Sequence, residues 1–479
     1  MCIRDRDVSA VKSAEGFMSG AGLSTENYNR ILSGWSSQSV QSGVNISFGD
    51  TKYSYVTGSS YRDILTSAAT GWIITDGGAF MRPNPKFIAT FDTRNWRHYG
   101  TNVPTNKVVL PLHSMGTYDF YVDWGDGTAE QNVTSYNSSN AAHTYGTPGI
   151  YQITITGTLS GWGYENSQAV GSNVGTSTIE LSSNLPPGLN KQESRQDQRA
   201  KLVSIQDWEG LYLLPAARGP FEYCKNLSYI PTTVYNIPAN GSMLQCFLAC
   251  TGFEVSFGPG GTGDISAWDV SSATNMAAVF YGIDSSHGPD PYNDVDFEIG
   301  SWDVSNVTNM SSMFTTAYSW NNGGSPSISG WDTSNVTEMN NMFFFAYRFN
   351  QPIGYWDTSS VTKMASMFRL ASDFNQDLRI WDTSNVFVIS EMFDRALSFD
   401  QNLGSWDISS VMYANNFFFN THGLSTSNYD STLIGWSTQN VQNGVNISFG
   451  NSRYSIGSPT LARMALISKG WTITDGGQV

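Results

Sequence analysis

The sequence predicts a multidomain repeat protein: an α/β solenoid closed by a terminal cap, joined to an all-β sandwich. Three observations carry this expectation. A Trp-Asp pair recurs at Trp268, Trp302, Trp331, Trp356, Trp381 and Trp406, and the last four tryptophans are spaced by 25 residues. A second, longer motif occurs once near each end of the chain. Between the first copy and the Trp-Asp repeats, short apolar runs alternate with turn residues, as strands of a sheet do.

Each Trp-Asp unit combines two periodicities. Trp302 and Val304 alternate with period 2, the pattern of a short strand with one buried face. Met310, Met313 and Phe314 then fall at i, i+3 and i+4, the apolar stripe of a short helix. The next units give Ile328, Trp331, Thr333, Val336, Met339, Met342 and Phe343, then Ile353, Trp356, Thr358, Val361, Met364, Met367 and Phe368. A unit this small cannot bury its apolar face alone, so it must stack on its neighbours. The spacing Ile299-x-x-Trp302-x-Val304 matches a leucine-rich-repeat strand with Trp at the second leucine.

These units, with linkers such as Phe374-Asn375-Gln376-Asp377-Leu378, resemble the BspA-like leucine-rich-repeat surface proteins over residues 200 to 420. Phe221-Glu222-Tyr223-Cys224-Lys225-Asn226-Leu227 is similar to a turn of that family. The resemblance implies a leucine-rich-repeat-like α/β solenoid and a bacterial, extracellular, non-enzymatic protein associated with adhesion.

The duplicated module begins Gly22-Leu23-Ser24-Thr25-Glu26-Asn27-Tyr28 and Gly423-Leu424-Ser425-Thr426-Ser427-Asn428-Tyr429. It closes with Gly71-Trp72-Ile73-Ile74-Thr75-Asp76 and Gly470-Trp471-Thr472-Ile473-Thr474-Asp475. A stack of repeats must cover its last apolar face, so 421–479 is expected to be a C-terminal cap. Residues 1–82 are expected to be the terminal repeat and cap of a truncated upstream array, because Asp7-Val8-Ser9-Ala10-Val11 resembles a repeat. Met1-Cys2-Ile3-Arg4-Asp5-Arg6 has no apolar core, resembles a translated adapter sequence and is set aside.

Val122-Asp123-Trp124-Gly125-Asp126-Gly127-Thr128, followed by His143-Thr144-Tyr145, resembles a PKD-type immunoglobulin-like domain and implies a β-sandwich over 86–160. Polar residues 161–200 are expected to lead from it into a solenoid at 201–420.

Composition narrows the function. Lys and Arg total 25 against 40 Asp and Glu, a formal charge of −15. No basic footprint for nucleic acid exists. No apolar run is long enough for a transmembrane helix. Cys2, Cys224, Cys246 and Cys250 form no C-x-x-C pair, and Cys246-x-x-x-Cys250 has no further metal ligand nearby in sequence. His98, His113, His143, His287 and His422 are scattered, and no nucleophile elbow, P-loop or dinucleotide fingerprint occurs. Catalytic residues are therefore expected to be none.

The carboxylates after each tryptophan are the candidate site: Asp269, Asp303, Asp332, Asp357, Asp382 and Asp407. Each lies between inward positions and so points outward. The simpler reading is a local Asx turn capping the following Ser. The sharper one is an acidic ladder for a basic partner or Ca²⁺, a cation that takes oxygen ligands. The function expected is a cell-surface or secreted adhesin-like protein with an extended protein- or glycan-binding surface, without any other cofactor. The alternative is a non-catalytic, carbohydrate-associated region of a secreted polysaccharide-degrading enzyme.

Overall fold

The computed structural model describes residues 8–14, 23, 25–51, 53–54, 57–77, 79–80, 86–95, 106–163, 195–212, 219–232, 241–253, 264–283, 295–323 and 327–479. The leader 1–6, most of the lead-in segment (164–194), His98 and His287 lie outside them. The chain divides into two compact units, Met1–Pro85 and Lys86–Val479.

In the first unit, helix α1 (Thr25–Ser36) buries Tyr28, Ile31, Leu32 and Trp35, the one-face spacing of an amphipathic helix. Strand β1 (Asn45–Ser47) pairs in parallel with β3 (Ile73–Thr75), and β2 (Tyr53–Ser54) with β4 (Ala79–Phe80). Helix α2 (Thr57–Thr66) brings Arg62 to Asp76 at 3.0 Å, and the Tyr28 hydroxyl donates to the same carboxylate at 2.7 Å.

The second unit starts as a sheet. Strands β5 (Lys86–Asp92), β7 (Leu112–Asp123), β8 (Gln131–Val133), β10 (Ile150–Trp162), β11 (Leu202–Asp207) and β12 (Leu211–Tyr212) form one six-stranded sheet, with the order β11-β5-β10-β7-β8 and β12 paired to β10. Strands β6 (Lys107–Val109) and β9 (Ala142–Thr144) form a separate two-stranded ribbon. Alternate residues Phe87, Ala89 and Phe91, Phe120 and Val122, and Ile153 and Ile155 face the core. At Gly157 (φ +126°) a Cβ would lie 2.5 Å from the Asp119 carbonyl, so only glycine fits where β10 presses on β7.

The sheet runs into the repeats. Ser204 in β11 bridges to Tyr229, and helix α3 (Arg195–Lys201) ties the β6–β9 ribbon to the first turn-built unit. Gln198 accepts from the Val109 N–H at 3.1 Å, Lys201 donates to the Lys107 carbonyl at 2.6 Å, and buried Arg199 pairs with buried Glu222 at 2.6 Å.

From Phe221 onward the architecture differs from the predicted leucine-rich-repeat-like α/β solenoid. Among the described residues of 219–420 there is no α-helix and no strand longer than a single bridge. The Met310-x-x-Met313-Phe314 stretch is a run of turns: Met313 N–H donates to the Met310 carbonyl and Ala317 N–H to that of Phe314. Ser312 and Thr316 have φ of 58° and 57°, the left-handed value required at the third position of a type II turn. The N–H groups of Met310, Ser312, Phe314 and Thr316 point to the next unit, donating to the carbonyls of Glu338, Asn340, Met342 and Phe344 at 2.7–3.0 Å. The Trp302–Val304 stretch forms no strand: it links a turn closed by the Trp302 N–H on the Ile299 carbonyl to one closed by the Val307 N–H on the Val304 carbonyl. The parallel bridges run instead through Asn275, Asn309, Glu338, Lys363, Val388 and Tyr413. The predicted immunoglobulin-like sandwich is likewise replaced: among the described residues there is one six-stranded sheet, which takes its edge strand from beyond residue 200, and a separate two-stranded ribbon. The molecule is a mixed, sheet-rich fold with few helices, because turns satisfy the backbone that helices were expected to satisfy.

Side chains inside the turns stack in columns. Rings of Phe314, Phe343, Phe368 and Phe393 follow one another at 5.8, 5.7 and 5.6 Å with planes within 10°. Trp331 lies on Trp356 at 5.9 Å, and Trp381 on Trp406 at 6.3 Å. The last unit meets helix α4 (Thr426–Ser437), where a Cβ on Gly435 would collide with the Gly404 carbonyl. Strand β13 (Asn446–Ser448) continues the bridge column through Ala414 and pairs in parallel with β14 (Thr472–Thr474). Helix α5 (Ser458–Ser468) brings Arg463 to Asp475 at 2.7 Å, and Tyr429 donates to that carboxylate at 2.7 Å. The arrangement repeats that of Tyr28, Arg62 and Asp76.

Candidate binding surface

The tryptophan side of each unit places its aspartate outside. Trp302, Trp331, Trp356, Trp381 and Trp406 are buried, while Asp303, Asp332, Asp357 and Asp382 are exposed and Asp269 and Asp407 half-buried. All six carboxylates close an Asx turn, accepting from the backbone N–H of Ser271, Ser305, Ser334, Ser359, Ser384 and Ser409 at 2.9–3.1 Å. The Ser305 and Ser334 hydroxyls donate to the same oxygens at 2.6 and 2.7 Å. Hydrogen bonds from the Ser359 side chain and backbone hold the Asp357 carboxyl below its ordinary range, outweighing burial.

A buried ladder behind the aspartates fixes their spacing. Thr333, Thr358 and Thr383 donate through their hydroxyls to the carbonyls of Asp357, Asp382 and Asp407, one unit on, at 2.8–2.9 Å. Register neighbours in such a ladder are about 4.8 Å apart. Elsewhere, charges in register are of opposite sign: Glu338 pairs with Lys363 at 2.6 Å, and Asp394 with Arg369 at 2.9 Å. Asp332, Asp357 and Asp382 have no cationic partner among the described residues. Two large side chains just before the tryptophans, Tyr355 and Ile380, are 81% and 66% exposed beside this column. Sequence reasoning missed them, because they break the small-residue pattern of Ser301, Gly330 and Ser405 without belonging to any motif.

A polar column that sequence reasoning also missed borders the opposite side of the tryptophan turn. Asn321, Asn350 and Asn375 accept from the N–H of Asn350, Asn375 and Asp400 at 2.8–3.0 Å. Gln351 and Gln376 donate to the carbonyls of Asn321 and Asn350 at 2.7 and 2.9 Å. Its signal was the Asn-Gln that recurs at Asn350-Gln351 and Asn375-Gln376, with Asn321-Asn322 and Asp400-Gln401 in the flanking linkers. These groups bond to one another, so the column is a seam rather than a site.

The remaining titratable groups do not converge. His143 lies 2.7 Å from Asp126 and stacks on Trp124, bracing the hairpin at Gly125–Gly127. His113 accepts from the Met115 N–H. Cys224, Cys246 and Cys250 are buried and form no disulfide with one another. Among the described residues no cluster of three or more His, Cys, Asp or Glu side chains could hold a metal ion, and no helix is long and apolar enough to cross a membrane.

The turn-built region is similar to a known family. Residues 221–326 and 322–431 each match the family model described as "Mycoplasma protein of unknown function, DUF285". No curated protein and no solved structure matches the chain.

Proposed function

We propose that this chain is a non-enzymatic binding region of a cell-surface or secreted, adhesin-like bacterial protein, and that the Trp-Asp side of its repeats contacts an extended protein or glycan ligand. The observation that carries the reading is the column Asp332, Asp357 and Asp382: like charges held in register with no cationic side chain paired to them among the described residues, beside exposed Tyr355 and Ile380. Like charges directly in register are unfavourable in a sheet and are usually avoided. A ligand with cationic groups, or Ca²⁺ bridging to one, would offset that repulsion. The match to a repeat family and the likeness of the Trp-Asp units to BspA-type surface proteins support a surface location, and the net charge of −15 argues against a nucleic-acid partner.

The test is binding of the full chain to arrays of extracellular-matrix proteins and glycans, with Ca²⁺ or with chelator. Asp332, Asp357 and Asp382 are then changed together to Asn, which keeps the Asx turn while removing the charge. Saturable binding that the triple variant loses, at an unchanged melting temperature, supports the reading. Binding that survives moves the contact elsewhere, and no saturable ligand in either array leaves a structural stalk. A rise in melting temperature with Ca²⁺ that the triple variant lacks would make Ca²⁺ part of the site.

A further inference from the structure

The first two turn-built units carry a pair of thiols that the surface reading does not use. Phe221 N–H donates to the Cys246 carbonyl at 3.2 Å and Tyr223 N–H to that of Leu248 at 2.7 Å. That register sets Phe221 against Phe247, whose rings stack at 5.7 Å and 10°, and therefore Cys224 against Cys250. In later units the same column holds Ile283, Ala317, Ala346, Ala371 and Ala396. Cysteine occupies it only in the two adjacent units where the sheet passes into the repeats.

The sulfur of Cys250 already reaches across the gap. It donates to the Phe221 carbonyl at 2.9 Å, inside the turn that Cys224 closes by its own N–H bond to that carbonyl at 3.1 Å. The Cys224 N–H also faces this sulfur. Register neighbours at about 4.8 Å between Cα atoms fall within the 4.4–6.8 Å span of disulfides. Cys246 lies on a different column, in register with Val279.

We propose that Cys224 and Cys250 form an inter-unit disulfide when the chain folds in the presence of a disulfide oxidant. In the exchange with oxidised glutathione, the oxidant's S–S bond breaks, the Cys224–Cys250 bond forms, and both thiol protons end on two glutathione thiols. Both cysteines are buried, and burial pushes the Cys224 thiol up to about 12 and that of Cys250 up as well. Thiolate is therefore scarce in the closed core, so the exchange belongs to folding rather than to the finished molecule.

The full chain is refolded with oxidised glutathione or with reductant, denatured, alkylated and mapped by mass spectrometry. The expected result is a Cys224–Cys250 linked peptide, with Cys2 and Cys246 still alkylated, and a melting temperature about 5 °C above that of the reduced chain. The Cys246→Ser variant should keep the link, and Cys224→Ser or Cys250→Ser should leave every remaining thiol alkylated. A chain that does not refold is oxidised during slow warming toward its melting midpoint, where opening exposes the same pair. Four alkylated thiols in the oxidised chain, or a linked peptide containing Cys246, overturns the proposal. Neither result bears on the Trp-Asp surface.

Discussion

The indole Nε1 of Trp356 donates to the carbonyl of Ile328 at 2.9 Å, an oxygen that already accepts the Trp331 N–H at 3.1 Å. Trp302, Trp331, Trp381 and Trp406 repeat the bond, to Ile265, Ile299, Ile353 and Leu378. One carbonyl thus closes a turn in its own unit and receives the next unit's tryptophan. A buried indole needs such a partner. Phenylalanine at 356 fills much of the volume but leaves one lone pair of the Ile328 oxygen bare. Trp356→Phe should lower stability by about 1–3 kcal/mol, read from the urea midpoint of the full chain.

The seam of asparagines ends on an acid. Asp400 accepts from the Ser425 N–H at 2.7 Å and from the Asn428 side chain at 2.9 Å, at the first turn of α4. A carboxylate there complements the helix N-terminus, and Ser425 itself provides no side-chain cap. Asp400→Ala should cost about 1–2 kcal/mol and raise amide exchange in α4 first, whereas Asp400→Asn should retain most of the stability.

Acid should loosen the hairpin at Asp126. Burial raises this carboxyl, but hydrogen bonds from Thr128 and His143 and the histidine's charge outweigh it, holding it at about 2. A carboxyl lowered on folding contributes stability above its ordinary pKa near 3.8, and that contribution is lost as pH falls toward 2. Acid titration of folding should show a loss between these values in the parent chain that Asp126→Asn lacks.

Asp394 carries the opposite sign. Burial raises its carboxyl despite Arg369 and Arg395 nearby, and its Oδ1 has no hydrogen-bond partner. A carboxyl raised on folding favours the folded state most at low pH and loses that contribution as pH rises through its folded pKa. Arg369 keeps Glu391 at 2.5 Å, so Asp394→Asn strands no cation. Urea midpoints from pH 4 to pH 7 should fall in the parent relative to Asp394→Asn, which should be at least as stable at pH 7.

The inward residues were legible in the sequence, but the backbone connecting them was not. Met310, Met313 and Phe314 are buried as their spacing implied. Yet a turn followed at once by a second turn returns to the interior after three or four residues, the same interval as a helix. Glycine or asparagine at the left-handed positions would have separated the two readings. Most of those positions instead hold other residues, among them Phe345, Leu370, Glu391 and Arg395 with φ of 57–62°, and only Asn341, Asn416, Asn420 and Gly282 give the signal. Left-handed backbone costs such residues about 1–2 kcal/mol each, and the bonds between units must offset it. That is tertiary context a single unit does not carry. The aspartate column was legible because an Asx turn is local: the carboxylate and the serine it caps are two residues apart. Tyr355, Ile380 and the asparagine seam have meaning only across neighbouring units.

The bonds along the array also bear on how its gene can change. Asn340 meets Ala365, Thr337 meets Thr362, and Asn350 meets Asn375, each 25 residues on. Excising residues 351–375 would join Asn350 to Gln376, recreating the Asn-Gln step that Asn350 and Gln351 make now. Each surviving backbone donor between units would then face a carbonyl in the same place as before, while Glu338 and Asp394 would lose Lys363 and Arg369. Unequal recombination between neighbouring repeats can therefore shorten or lengthen the protein by whole turns while keeping the backbone bonding between units.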